Sequence, residues 1–168
     1  MQNKFPKICN LIVVIFMFSN QSWGQTKHSV LIDFQTTRGD HITVLQLSNK
    51  NGLQFIYKPK KGSTLVFPKQ INPNKNWSKF NYGYYFRPGG VENDGLDLNS
   101  LSFKLNGKIY VIYENYVAVG DEQELGFKIL NAKEETLANY KGKLNTLKGS
   151  IIDLRYIEEI PKGTGYYE

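Results

Sequence analysis

The chain has 168 residues, 21 Lys+Arg against 15 Asp+Glu and a single cysteine. One cysteine excludes an internal disulfide framework and a Cys-based zinc site, and the length suffices for one self-supporting hydrophobic core. A formal charge of +6 is too slight to announce a nucleic-acid binder, and none is expected as a partner.

Residues 1–24 read as a secretory signal peptide. Lys4 and Lys7 make a basic start, Ile8 to Phe18 is mostly apolar, and Ser22 and Gly24 put small residues where a signal peptidase reads. The apolar stretch is about a dozen residues long, whereas a spanning helix needs roughly 20. Cys9 stands at the start of that stretch, so it is misplaced for lipid attachment. The expected product is residues 25–168, a single β domain of 144 residues with charge +4 and no cysteine, periplasmic or secreted, with no membrane span.

Short runs rich in β-branched and aromatic residues, broken every eight to twelve residues by Gly, Asn, Asp or Pro, predict an all-β antiparallel domain. Strands are expected near 28–35, 41–48, 53–58, 63–68, 79–87, 100–105, 108–117, 125–131, 136–141, 143–148 and 150–156. So many strands exceed one flat sheet, and a meander that closes into a barrel or splits into a sandwich follows. Asn106-Gly107 is the strongest hairpin turn, because both central residues of a type I′ turn need positive φ; Asn51-Gly52 marks a looser one. Residues 132–141 (AKEETLANYK) carry enough helix formers for one short helix, although a hairpin turning at Ala132–Glu135 fits better.

The run Lys79–Arg87 alternates, with Phe80, Tyr82, Tyr84 and Phe86 on one face and Asn81, Gly83, Tyr85 and Arg87 on the other. The first set is expected in the core. Tyr85 and Arg87 then project outward beside Gly83, which leaves room for something to approach the backbone. A polar loop from Pro88 to Asn99 follows, where Asn93, Asp97 and Asn99 are expected to bond its own backbone. Glu92, Asp94 and Asp97 lack the order of a calcium loop, and no metal or cofactor is expected. The candidate partner-binding residues are Tyr85, Arg87, Glu92, Asn93, Asp94 and Asp97.

Catalytic signatures are sparse. His28 and His41 stand in no metal-ligand spacing, and there is neither a G-x-S-x-G elbow nor a phosphate loop. A non-enzyme is expected; a hydrolase with a carboxylate pair drawn from residues such as Glu92, Asp97 and Glu114 is a third reading. Tyrosines are plentiful. Trp77, Tyr85 and Tyr116 are candidate stacking platforms for a glycan, with Trp77 alternatively a lid over one end of the fold. Tyr166 and Tyr167 are expected in a frayed tail.

The run from Trp77 to Gly90, with Asn93, Gly95, Asp97-Leu98-Asn99, Tyr110, Ile112 and Tyr113, then Lys141-Gly142-Lys143-Leu144 and Gly149 to Arg155, resembles a family of small exported β proteins of Gram-negative bacteria that has no established activity. The resemblance spans roughly residues 47–155 and implies a compartment and a fold, without an active site. Export, small size and a polar loop beside Tyr85 and Arg87 favour a periplasmic inhibitor or immunity protein, acting on an envelope-targeting toxin or wall hydrolase. A glycan-binding β module is the alternative.

Overall fold

The computed structural model describes residues 28–48, 51–70, 76–90 and 94–166. The stretch expected to be a signal peptide lies outside these, as do Glu92, Asn93 and Tyr167.

Among the described residues, ten strands form two antiparallel sheets of five. The first is built from β1 (Ser29–Gln35), β2 (His41–Gln46), β3 (Leu53–Lys58), β4 (Leu65–Phe67) and β10 (Lys148–Gly149), in the order β10-β1-β2-β3-β4. The second runs β5-β6-β7-β8-β9, with β5 Asn81–Arg87, β6 Leu96–Leu105, β7 Lys108–Val117, β8 Glu122–Leu130 and β9 Thr136–Lys141. The sheets do not close into a barrel; they face each other as a sandwich. They join at one corner, where Thr36 bridges Gly142 and the Gln35 carbonyl accepts from Lys143 N at 2.8 Å.

The alternation of each strand sets its buried face. Ile32, Phe34, Ile42, Val44, Leu53 and Phe55 from the first sheet meet Tyr82, Leu101, Phe103, Ile112 and Phe127 from the second. Aromatic packing dominates: Phe103 stacks on Phe67 at 4.4 Å and on Tyr110 at 5.1 Å. The β6–β7 turn has positive φ at both Asn106 (50°) and Gly107 (71°), as the Asn-Gly pair predicts.

Residues 132–141 take the favoured hairpin and no helix: a turn at Ala132 and Lys133 leads into β9. Other expectations change. The expected strands at 143–148 and 150–156 are mostly 3-10 turns, Leu144–Thr146 and Ile152–Tyr156, with only Lys148–Gly149 extended. Leu154 and Ile151 point into the core there, a spacing of three that a 3-10 turn satisfies and a strand does not. Asp97 and Asn99 lie inside β6, so the polar loop ends at Gly95.

The room beside Gly83 is filled by the chain itself. Tyr82 N donates to Pro161 O and Gly163 N to Tyr82 O, so the tail pairs in parallel with the outer edge of β5. A Cβ on Gly83 would stand 2.4 Å from Gly165 Cα. Tyr166, expected to fray, instead packs on Ile109, Val111 and Leu130 and takes a bond from its own N to Ser100 Oγ at 3.2 Å.

A candidate binding shelf

β6 and β7 have ten residues each, while β2 and β3 have six. At about 3.3 Å per residue, the second sheet outruns the first by roughly 13 Å. Two cross-strand rows of its inner face are left uncovered by the first sheet: Tyr84–Asn99–Glu114 and Phe86–Asp97–Tyr116. Tyr84 and Phe86, expected in the core, are therefore 45% and 54% exposed. The 3-10 turn Ile152–Tyr156 is what reaches over these rows.

Arg155 on that turn organises the shelf. Its guanidinium pairs with Asp97, donates to Asn99 Oδ1 at 3.1 Å, and lies 4.7 Å from the Tyr84 ring centroid and 5.3 Å from that of Phe86. Asn99 is fully buried; its Oδ1 also accepts from the Tyr82 hydroxyl, and its Nδ2 donates to Asp97 Oδ1 at 2.8 Å. Burial pushes the Tyr82 phenol up, so it stays a donor. Burial disfavours the Arg155 cation, yet its bond and attraction to Asp97 raise its pKa on balance. Two flexible aromatic side chains are thus held around a fixed cation, which lowers the entropy cost of presenting them. Arg155 Nε is buried with no acceptor, and the bonds to Asp97 and Asn99 both come from one terminal nitrogen.

Glu114, next in the row, is buried and accepts from Ser150 Oγ at 2.8 Å and Ile151 N at 2.9 Å. Burial raises its pKa despite both bonds, with Asp97 and Asp153 adding repulsion. Because the native carboxyl holds its proton to higher pH than the unfolded one, stability declines as pH rises through the window between the two, then levels. Glu114→Gln keeps an oxygen acceptor and removes the titration. Its urea-unfolding free energy is expected to lack that decline and to exceed the parent's at neutral pH.

The residues singled out in the sequence are scattered. Tyr85 is 46% exposed on the outer face of the second sheet. Arg87 Nε donates to Asp94 O at 2.8 Å, closing the loop that begins at Pro88. Asp94 is exposed, whereas Asp97 lies on the inner face, on the opposite side of the sheet from Tyr85 and Arg87. Trp77 is 1% exposed within the core, which corrects its assignment as a stacking platform: neither ring face meets solvent. Tyr116 is 40% exposed on the inner face, its hydroxyl donating to Asp121 at 3.0 Å, so Tyr85 and Tyr116 do not form one platform. Missed altogether were Tyr84, Phe86 and Arg155 as site residues. The mismatch between the ten-residue hairpin and its shorter counterparts was the available signal.

Two other features lie away from the shelf. On the outer face of the first sheet, Asp33 accepts from Thr43 Oγ1 at 2.7 Å and lies 2.8 Å from His41 Nε2. Burial works to raise the Asp33 pKa, but these two partners and the Lys148 charge hold it below the usual carboxylate range. The register that pairs Asp33 with Thr43 and Gln35 with His41 makes this cluster, which sequence spacing conceals. A cleft of about 680 Å³ opens at the other end of the second sheet, between Phe67, Lys79, Phe103, Lys104, Ile109 and Tyr166; Glu134 is the one carboxylate in its lining.

Among the described residues no group of three or more His, Cys, Asp or Glu is placed to hold a metal ion, and no helix is long and apolar enough to cross a membrane. Comparison with protein-family models, with curated proteins and with solved structures gave no match.

Proposed function

We propose that this chain is an exported, non-catalytic binding protein that blocks an envelope-side protein, as an inhibitor or immunity protein does, and that it docks through the shelf around Arg155. The observation that carries this is the exposure of Tyr84 and Phe86 on a sheet face whose other rows are core, held rigid by a guanidinium. Tyr, Phe and Arg gathered on a preorganised surface match the composition of interface hot spots. The carboxylates nearest the shelf serve internal bonds: Asp97 holds Arg155, and Glu114 holds Ser150 and Ile151. That arrangement speaks for recognition over acid–base chemistry. A glycan platform of Trp77, Tyr85 and Tyr116 has less support, given the burial of Trp77 and the opposed faces of the two tyrosines.

Phe86→Ala and Tyr84→Ala test the proposal, since both rings are exposed and their loss leaves the core intact. Each is expected to weaken capture of the partner from an envelope extract about 30-fold, the size of one hot-spot residue. Recovery equal to the parent's in both variants overturns docking at the shelf.

A further inference from the structure

β5 stands at one edge of the second sheet, and the tail closes that edge at a single residue. Tyr82 N donates to Pro161 O at 2.9 Å, and Tyr82 O accepts from Gly163 N at 3.2 Å. The tail then leaves the edge for the outer face, where Gly165 lies against Gly83 and Tyr166 N reaches Ser100 Oγ. Backbone groups of an antiparallel strand alternate between its two sides. Those of Tyr82 point away from β6, so those of Tyr84 and Phe86 do too, while Gly83, Tyr85 and Arg87 face β6. Among the described residues, nothing bonds the N–H or C=O of Tyr84 or Phe86. Two donors and two acceptors thus line about 7 Å of open edge. Their flanks are the exposed rings of Tyr84 and Phe86 on the shelf and of Tyr85 on the opposite face.

We infer that the protein docked at the shelf adds a strand here, laying an extended segment along Tyr84–Phe86 and lengthening the second sheet past β5. The inference rests on the docking proposal and adds how the partner is held. Residues of that segment opposite Tyr84 and Phe86 direct their side chains to the shelf face, so they are apolar; the residue between them meets Tyr85 on the other face. The shelf rings and the open backbone groups belong to the same two residues, so one segment engages both. Main-chain bonds of this kind supply affinity, and the rings select the side chains. A second copy of β5 fits poorly. The register that pairs Tyr84 of each copy with Phe86 of the other lays Pro88 against Tyr82 of the other copy, a place that copy's own tail already holds.

Phe86→Ala and Phe86→Pro separate ring from backbone. Both remove the ring, but only proline also removes the outward N–H, at a position where an edge strand accepts it without losing a bond to its neighbour. A protein that the parent retains from an envelope extract, and that Phe86→Ala retains less well, is purified and titrated against all three chains, each checked for folding by circular dichroism. Phe86→Pro is expected to bind it about tenfold more weakly than Phe86→Ala. In the parent, amide hydrogen exchange at Tyr84 and Phe86 is expected to slow about tenfold or more on complex formation, while Tyr85, already bonded to β6, changes little. If Phe86→Pro does not fold, exchange in the parent decides alone. Equal binding by the two variants, or exchange at Tyr84 and Phe86 that the complex leaves unchanged, overturns strand addition and leaves docking intact. A parent chain that elutes as a dimer and becomes a monomer on Phe86→Pro overturns it in favour of a second copy. Identical retention by parent and Phe86→Ala overturns strand addition and docking together.

Discussion

Arg155→Ala is expected to cost about 3 kcal/mol of folding stability, because it strands the Asp97 carboxylate beside buried Asn99 in a site with little access to water. With a urea slope near 2 kcal/mol/M, the midpoint drops by roughly 1.5 M. Arg155→Met keeps most of the packing stem and removes the charge, so its loss isolates the electrostatic part. Combining Arg155→Met with Asp97→Asn is expected to recover most of the stability, since the pair is costly to halve and cheap to remove whole. Binding behaves differently. The double variant leaves Tyr84 and Phe86 without the guanidinium that fixes them, so capture stays weak after stability returns. A loss below about 1 kcal/mol for Arg155→Ala rules out this ion pair as the anchor of the shelf.

Asn76→Ala is expected to lose about 3 kcal/mol through an unrelated mechanism. Asn76 stands where β4 would continue past Phe67, and its side chain imitates the missing strand: Oδ1 accepts from Leu53 N at 2.8 Å and Nδ2 donates to Leu53 O at 2.9 Å. Leu53 is fully buried, so alanine at 76 leaves a donor and an acceptor without partners, each costing roughly 1–3 kcal/mol. Gly52→Ala provides an independent check. Its methyl would sit 1.7 Å from Asn76 Oδ1, and φ at this position is +133°, so it expels the same side chain and adds backbone strain. With Asn76 already alanine the methyl meets less, and the double variant should fall short of the summed losses. Urea unfolding of the three variants decides this; an Asn76→Ala chain as stable as the parent shows that other groups satisfy Leu53.

The strands of both sheets up to Lys141 were legible because period-two alternation and turn residues coincide, as at Asn106-Gly107. The last stretch was not. From Leu144 to Tyr156 the apolar residues Leu144, Leu147, Ile151 and Leu154 recur at intervals of three and four, and β-branched content suggested strands where 3-10 turns form. The same limit hid the shelf. Alternation reports which face of β5 looks inward, but whether a second layer covers that face depends on the length of strands elsewhere. Phe80 and Tyr82 lie under the first sheet and are buried; Tyr84 and Phe86 lie beyond its end. Arg155 was equally invisible, since its partners Asp97 and Asn99 are more than fifty residues away.

The tail that lies along β5 bears on how the molecule survives its own folding. Until Pro161 and Gly163 arrive, the outer edge of β5 offers unpaired backbone groups flanked by Tyr82, Tyr84, Tyr85 and Phe86, a segment rich in aromatic residues and poor in charge. Tyr82 and Pro161 are far apart in the chain, so this edge is among the last to be sealed. A chain that stops short of Pro161 keeps it open permanently, and its characteristic failure is joining to another copy edge to edge, with its core otherwise formed.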